Sequence, residues 1–273
     1  MEESAIKSKK DIKRVRTYIE GLDETMEGGI PENHIVLLSG TSGTMKSSVA
    51  FNIMYNEALK GETSLYLTLE QSAKSLLTHM TNMDFDLSKI NVVELSEISN
   101  ETSKIDEVVK KQKGKGTMII ADLGAIRKKV KDTKFSAGSD WLNAIKNLTK
   151  KIKVHVNCKL FTLDSLSALY VLSQFEQPRA KLFFIFEFLR DLNLTSFLIS
   201  EIPHAKSGYS EYGVEEYLAD GIIHLMLTER YRKVTREISV VKMRASECNN
   251  DIFTLEYKNR KFHALYGGKT PVI

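Results

Sequence analysis

Only two cysteines, Cys158 and Cys248, occur in the 273-residue sequence, and they form no close pair. A disulfide framework is excluded, and a reducing, cytoplasmic setting is expected. These cysteines and the six histidines lack metal-ligand spacing, so no zinc site is expected. Long hydrophobic runs are missing too. The most apolar stretch, residues 182–189, is too short to span a bilayer and contains Glu187, and nothing reads as a signal peptide. Neither charge sign dominates: 39 Lys and Arg against 35 Asp and Glu leave a net charge of +4, which permits anionic partners without demanding them. There is no internal repeat and no linker that would split the chain. What remains is 42% apolar and 27% charged residues, a composition that lets a chain of this length bury a sizeable core as one large domain or two small ones.

The most informative stretch is HIVLLSGTSGTMKSSVA, residues 34–50. It reads as a short buried strand, a turn rich in Gly, Ser and Thr, and the start of a helix, with Lys46 and Ser47 at the junction. Backbone N–H groups of such a turn and of the helix's first turn converge on one spot, where the helix dipole adds partial positive charge. Lys46 can reach β- and γ-phosphate oxygens, and the Ser47 hydroxyl can ligate Mg²⁺. The candidate nucleotide-binding residues are therefore Gly40, Thr41, Ser42, Gly43, Thr44, Met45, Lys46, Ser47 and Ser48. Gly40, Lys46 and Ser47 fit G-x-x-x-x-G-K-[ST], and Gly43 is an additional glycine. Met45 stands where the pattern has glycine, which costs backbone freedom and room beside the phosphate. That substitution puts fast hydrolysis in question more than binding. The competing reading, an ordinary strand–turn–helix with a surface lysine, loses ground because the flanking elements are those the motif requires.

Along the chain, residues 1–14 are polar and read as a mobile tail or a short arm. Residues 46–59 read as a helix with Ala50, Phe51, Met54, Ala58 and Leu59 on its core face, ended by Gly61. Strands are expected at 64–69, 90–95, 117–122, 159–164 and 195–200, and helices at 73–83, 105–111, 139–152 and 179–192. This alternation predicts a parallel α/β sheet. Residues 222–227, 236–244 and 253–257 read as strands without intervening helices, hence antiparallel pairing. A basic stretch between Lys110 and Lys134 includes Arg127, Lys128, Lys129 and Lys131.

In an open parallel sheet, ligands sit at the carboxyl ends of the strands. Asp164 ends one apolar strand, where an acid can hold Mg²⁺ directly or through water; the alternative is a turn or capping aspartate. Glu70 ends another. It either orients and deprotonates an attacking water or serves as a helix N-cap acid, and the residues leave both open. Lys242 and Arg244, two apart on a strand, share one face. Taken alone they read as solvated strand-edge charges; the other reading has them reach a neighbouring subunit's nucleotide.

The chain resembles the KaiC-type branch of the RecA-like ATPases. The likeness is carried by GLDETMEGGIPENHIVLLSGTSGTMKSS, LYLTLEQS, LFTLDSLSAL, YGVEEYLADGIIHL and VVKMRAS, in the family's order and over most of residues 17–265. The resemblance implies a RecA-like P-loop fold: a mostly parallel central sheet with helices on both faces and antiparallel strands at its C-terminal end. It implies a nucleotide-binding domain over 15–265, longer than usual within 84–156, with a tail at 266–273. It gives Lys46 and Ser47 phosphate and Mg²⁺ roles and makes Asp164 the metal-associated acid. It also makes Glu70 the first of a catalytic glutamate pair and lets Lys242 and Arg244 contact ATP across a subunit interface. ATP and Mg²⁺ are the implied ligands, and a ring, expected as a hexamer, is the implied assembly. Three departures stand out: Met45, Gln71 at the second glutamate position, and Ala245 in place of the glycine of a K-x-R-G segment.

The leading expectation is a slow, oligomeric ATPase that signals through its nucleotide state to a protein partner the sequence does not name. Two alternatives stand beside it: a RecA-type enzyme handling nucleic acid, and a scaffold that binds ATP only to assemble. The basic stretch supports the first alternative, but aromatic residues able to stack on bases are nearly absent there. Autophosphorylation at Ser207 or Ser210 is a weaker reading than a plain polar loop.

Overall fold

The computed structural model describes residues 8–95, 115–124, 140–173, 177–203, 208–230 and 232–266. A 3-10 turn at Lys9–Asp11 precedes β1 (Arg14–Val15) and β2 (Ile19–Glu20). β3 (Ile30–Pro31) pairs antiparallel with β1 as a small separate sheet. Then come β4 (Ile35–Gly40), α1 (Lys46–Leu59), β5 (Thr63–Thr68), α2 (Ala73–Asn82), β6 (Asn91–Leu95) and β7 (Thr117–Asp122). After these follow α3 (Asp140–Val156), β8 (Leu160–Asp164), α4 (Leu166–Leu172), α5 (Pro178–Asp191) and β9 (Thr195–Glu201). The short helix α6 (Val214–Leu218) leads into β10 (Gly221–Arg230), β11 (Lys233–Met243), β12 (Phe253–Lys258) and β13 (Lys261–Tyr266).

Eleven strands form one sheet in the order β2-β13-β12-β11-β10-β4-β9-β8-β5-β7-β6. Every pairing from β10 through β6 is parallel. β10 to β13 are joined antiparallel, and β2 adds to the edge parallel to β13. The central strands are apolar on both faces because both faces are covered; all six residues of β4 and of β7 are buried. One core gathers Phe51 and Met54 of α1 with Tyr66 and Phe197. The other gathers Leu148 of α3, Leu182 and Phe186 of α5, and Phe161. This is the mostly parallel α/β sheet with antiparallel C-terminal strands that the sequence implies.

Helix α1 ends as its sequence dictates. Gly61 at φ 98° donates to the Ala58 carbonyl, and the N–H of Glu62 reaches the Glu57 carbonyl, so the last carbonyls are satisfied by a left-handed turn. Leu59, expected on the core face, is instead 44% exposed, because it points away from the stripe that Ala50, Phe51, Met54 and Ala58 bury. The polar segment before residue 15 is pinned where it is described: Arg14 donates to the carbonyls of Met26 and Gly29 and pairs with Glu27 at 3.0 Å. The helix expected at 105–111 and the residues Arg127, Lys128, Lys129, Lys131 and Lys134 lie outside the described residues.

Candidate functional site

Four adjacent strands end at one cleft of about 930 Å³. β4 delivers the loop, β9 delivers Glu201, β8 delivers Asp164, and β5 leads into Glu70. Register fixes the arrangement, since Gly40 lies opposite Glu201 and Thr68 opposite Asp164. Of the nine candidate loop residues, Ser42, Gly43, Met45, Lys46, Ser47 and Ser48 line the cleft. Gly40, Thr41 and Thr44 shape the turn behind it: Thr44 donates its hydroxyl to the Thr41 carbonyl at 2.8 Å. A Cβ on Gly40 would lie 2.0 Å from the Leu225 carbonyl oxygen, so only glycine lets the loop leave β4 beside β10. Met45 takes the left-handed conformation, φ 74° and ψ 26°, that the absent glycine would favour, and its carbonyl accepts the first hydrogen bond of α1, from Val49. The turn geometry survives the substitution.

Lys46 is buried. Its ammonium donates to the Thr41 carbonyl at 2.7 Å and pairs with Glu201 at 3.4 Å. Burial pushes its pKa below the ordinary lysine value, opposed by Glu201, Glu70 and Asp164. Asp164 is buried beneath it, accepting hydrogen bonds from the Tyr66 hydroxyl at 2.5 Å and from Ser47. Burial raises its pKa, while those hydrogen bonds and Lys46 hold it down. Glu70 accepts a hydrogen bond from the Ser165 hydroxyl. Its pKa is raised, first by burial and then by its carboxylate neighbours Asp164 and Glu201, with Ser165 and Lys46 opposing.

Neither acid caps a helix. Ser72 caps α2, accepting from the N–H of Ser75, and Ser165 caps α4, accepting from the N–H of Ala168. The capping alternatives for Glu70 and Asp164 therefore give way. Ser48 turns its hydroxyl to His79 on α2 at 3.3 Å.

Lys242 and Arg244 do not line this cleft. Both reach the α6–β10 junction: Lys242 donates to the carbonyls of Glu216 and Ala219, and Arg244 pairs with Asp220 at 2.7 Å and donates to the Tyr217 carbonyl. Ser210 is 2% exposed and hydrogen-bonded to Glu216, closed to a phosphoryl donor; Ser207 lies outside the described residues. Four residues escaped the sequence reading. Glu201 carries the same signal as Asp164, an acid closing an apolar strand. Ser165 precedes a helical run in capping position. Arg236, which donates to the Gly43 carbonyl at 3.1 Å from the far wall, stands on the strand whose other end drew attention to Lys242. Tyr66 gives no signal at all.

A magnesium site fits the residues present. Among the described residues there is no group of three or more His, Cys, Asp and Glu able to enclose a metal. The Ser47 hydroxyl and the Asp164 carboxylate touching it form a hard-oxygen pair that leaves the remaining positions to phosphate and water, the usual binding mode of Mg²⁺.

A Gly-, Ser- and Thr-rich loop between a strand and a helix at the carboxyl edge of a mostly parallel sheet, with acids on neighbouring strand ends, is the arrangement of the P-loop nucleotide-binding proteins. The family model for the KaiC ATPase matches residues 15–262, and the chain belongs to that family. It is 30% identical to a UPF0273 protein of Saccharolobus solfataricus over 236 residues, 85% of this chain and 76% of that one. It is 26% identical to the circadian clock protein KaiC3 of Synechocystis, covering 92% of this chain and 45% of the clock protein. A KaiC-like protein from Pyrococcus horikoshii, known from its crystal structure, superposes with a TM-score of 0.70 over 93% of this chain and 99% of its own, at 24% identity. That likeness establishes the RecA-like fold. Among the described residues no helix is long and apolar enough to cross a membrane.

Proposed function

We propose that this chain binds ATP with Mg²⁺ and hydrolyses it slowly, as a cytoplasmic ring with nucleotide between protomers, and that the nucleotide state is read by a protein partner. The observation that carries the reading is the convergence of Lys46, Ser47, Asp164 and Glu70 on one cleft beside the glycine-containing loop. Loop N–H groups and Lys46 hold the triphosphate, and the lysine charge stabilises the phosphoryl oxygens as the bond breaks. Glu70 takes the proton of the attacking water; Ser165 sets the orientation of its carboxylate. Mg²⁺, when bound at Ser47 and Asp164, neutralises phosphate charge. The slow rate rests on Met45 in the loop and on Gln71, which lines the cleft where the family has a second glutamate. The ring and its hexameric size rest on family membership, with Lys242 and Arg244 as the groups offered to a neighbour.

Lys46→Ala should abolish binding of a fluorescent ATP analogue; retained affinity would remove the cradle assignment. Glu70→Gln should keep binding and lower turnover by about 10²–10⁴-fold. Equal inactivity of wild type and Glu70→Gln, with binding and assembly intact in both, would instead favour the scaffold.

A further inference from the structure

Lys46 does not reach out into the cleft. It is folded back on its own loop, one donor on the Thr41 carbonyl and another 3.4 Å from Glu201. The lysine side chain is 5% exposed and the glutamate 37%, so the pair closes over the amine while the carboxylate stays open to solvent. The backbone holds Glu201 there. Gly40 is its register partner, its N–H donates to the Ser167 hydroxyl at 3.2 Å, and the N–H of the next residue, Ile202, donates to the Gly40 carbonyl at 3.1 Å. An incoming polyphosphate brings anionic oxygens to the same amine. In a half-buried cleft a carboxylate and a phosphate repel strongly, so they compete for Lys46.

We propose that Glu201 is a latch on Lys46: it holds the lysine on its own loop, and a polyphosphate docks only by displacing it. This rests on the nucleotide-binding reading above. Glu201 is a positioning residue that lowers apparent affinity by reducing the fraction of sites with a free lysine.

The test uses the full chain with Glu201→Gln, which keeps the shape and removes the charge, and with Glu201→Asp, whose shorter arm draws the carboxylate back. Two quantities are read. The first is the dissociation constant for ADP and for ATP. The second is the rate at which an amine-acylating reagent labels Lys46 without nucleotide, followed by peptide mass spectrometry. A latch predicts tighter nucleotide binding in Glu201→Gln by about three- to tenfold, a one-decade change being ~1.4 kcal/mol. It also predicts several-fold faster labelling in both variants, since the amine is released to swing outward. Loosened packing alone would speed labelling but weaken binding, and that combination overturns the latch. So does unchanged labelling, whatever the affinity. If wild type binds no nucleotide at all, the functional reading falls, and the labelling rates still decide whether Glu201 holds the lysine.

Discussion

At the scale of single residues the site runs against local preference in two ways. Met45 is held in the left-handed region, which costs an L-residue about 1–2 kcal/mol, and its side chain recovers part of this by packing against the core around α1. Met45→Gly removes both terms and adds about 0.5–1 kcal/mol of unfolded-chain entropy, so thermal stability should change by no more than about 1 kcal/mol. Nucleotide affinity should rise, because the thioether lines the cleft; a fall on titration with ADP would mean that the methionine contacts the ligand productively. The second conflict is buried charge. Burial raises the pKa of Asp164, so the fold prefers its protonated form. Its stability contribution is complete below the ordinary carboxylate range and is lost as pH rises through the raised value. Asp164→Asn should therefore unfold at a higher temperature than wild type at pH 8, with the gap closing in acid, while turnover is lost. A gap that does not depend on pH would place the cost elsewhere. Glu70 titrates in the same direction. With Glu70 as the proposed base, turnover would need its ionised form, so activity should climb with pH through a raised value. Ser165→Ala removes the hydrogen bond that favours ionisation and should move that limb to higher pH. An unmoved limb in the rate profile would reduce Ser165 to a helix cap.

Among the elements, the loop's departure from β4 is the tightest point. Gly40→Ala places a methyl 2.0 Å from the Leu225 carbonyl, so β4 and β10 must separate where Gly40 and Leu225 are register partners. Stability should fall by about 1–3 kcal/mol and nucleotide binding with it; calorimetry and ADP titration on one preparation would check both. Elements of this kind were legible. A strand buried on both faces is a continuous apolar run, so residues 117–122 gave β7 to the residue, and residues 46–59 gave α1. The misses have physical reasons. β13 follows a two-residue turn in which Asn259 and Arg260 both take positive φ, and Asn-Arg lacks the glycine that usually announces such a hairpin. Helices α4 and α6 are too short to show a period, and β1 to β3 are pairs of residues fixed by tertiary contacts such as those of Arg14. The site followed the same division. Lys46, Ser47 and Asp164 lie in patterns that the chain displays locally. Tyr66 and Arg236 matter through neighbours that only the folded sheet brings near, and no spacing along the chain encodes that.

For the whole molecule, the proposed ring would have a neighbouring protomer complete the cleft. Lys242 and Arg244 are spent in this protomer on the junction between α6 and β10, and Arg244 remains half exposed with its guanidinium on Asp220. Ala245, next to it, takes φ 55°, a conformation that a glycine would adopt without cost. If the cation belongs to a neighbour's nucleotide, removing it disables the neighbour's site and leaves its own loop intact. Lys46→Ala does the opposite. Each variant alone should be inactive, yet a random one-to-one mixture joins an intact loop to an intact Arg244 at about a quarter of head-to-tail interfaces. Mixed subunits, dissociated and reassembled, should recover activity toward that fraction in a phosphate-release assay. Pre-formed oligomers mixed without exchange should recover none, which ties the effect to the shared interface. Lack of recovery after demonstrated subunit exchange would confine Arg244 to holding Asp220 within its own chain, and would leave the cleft to be completed by residues on its own walls, with Arg236 foremost.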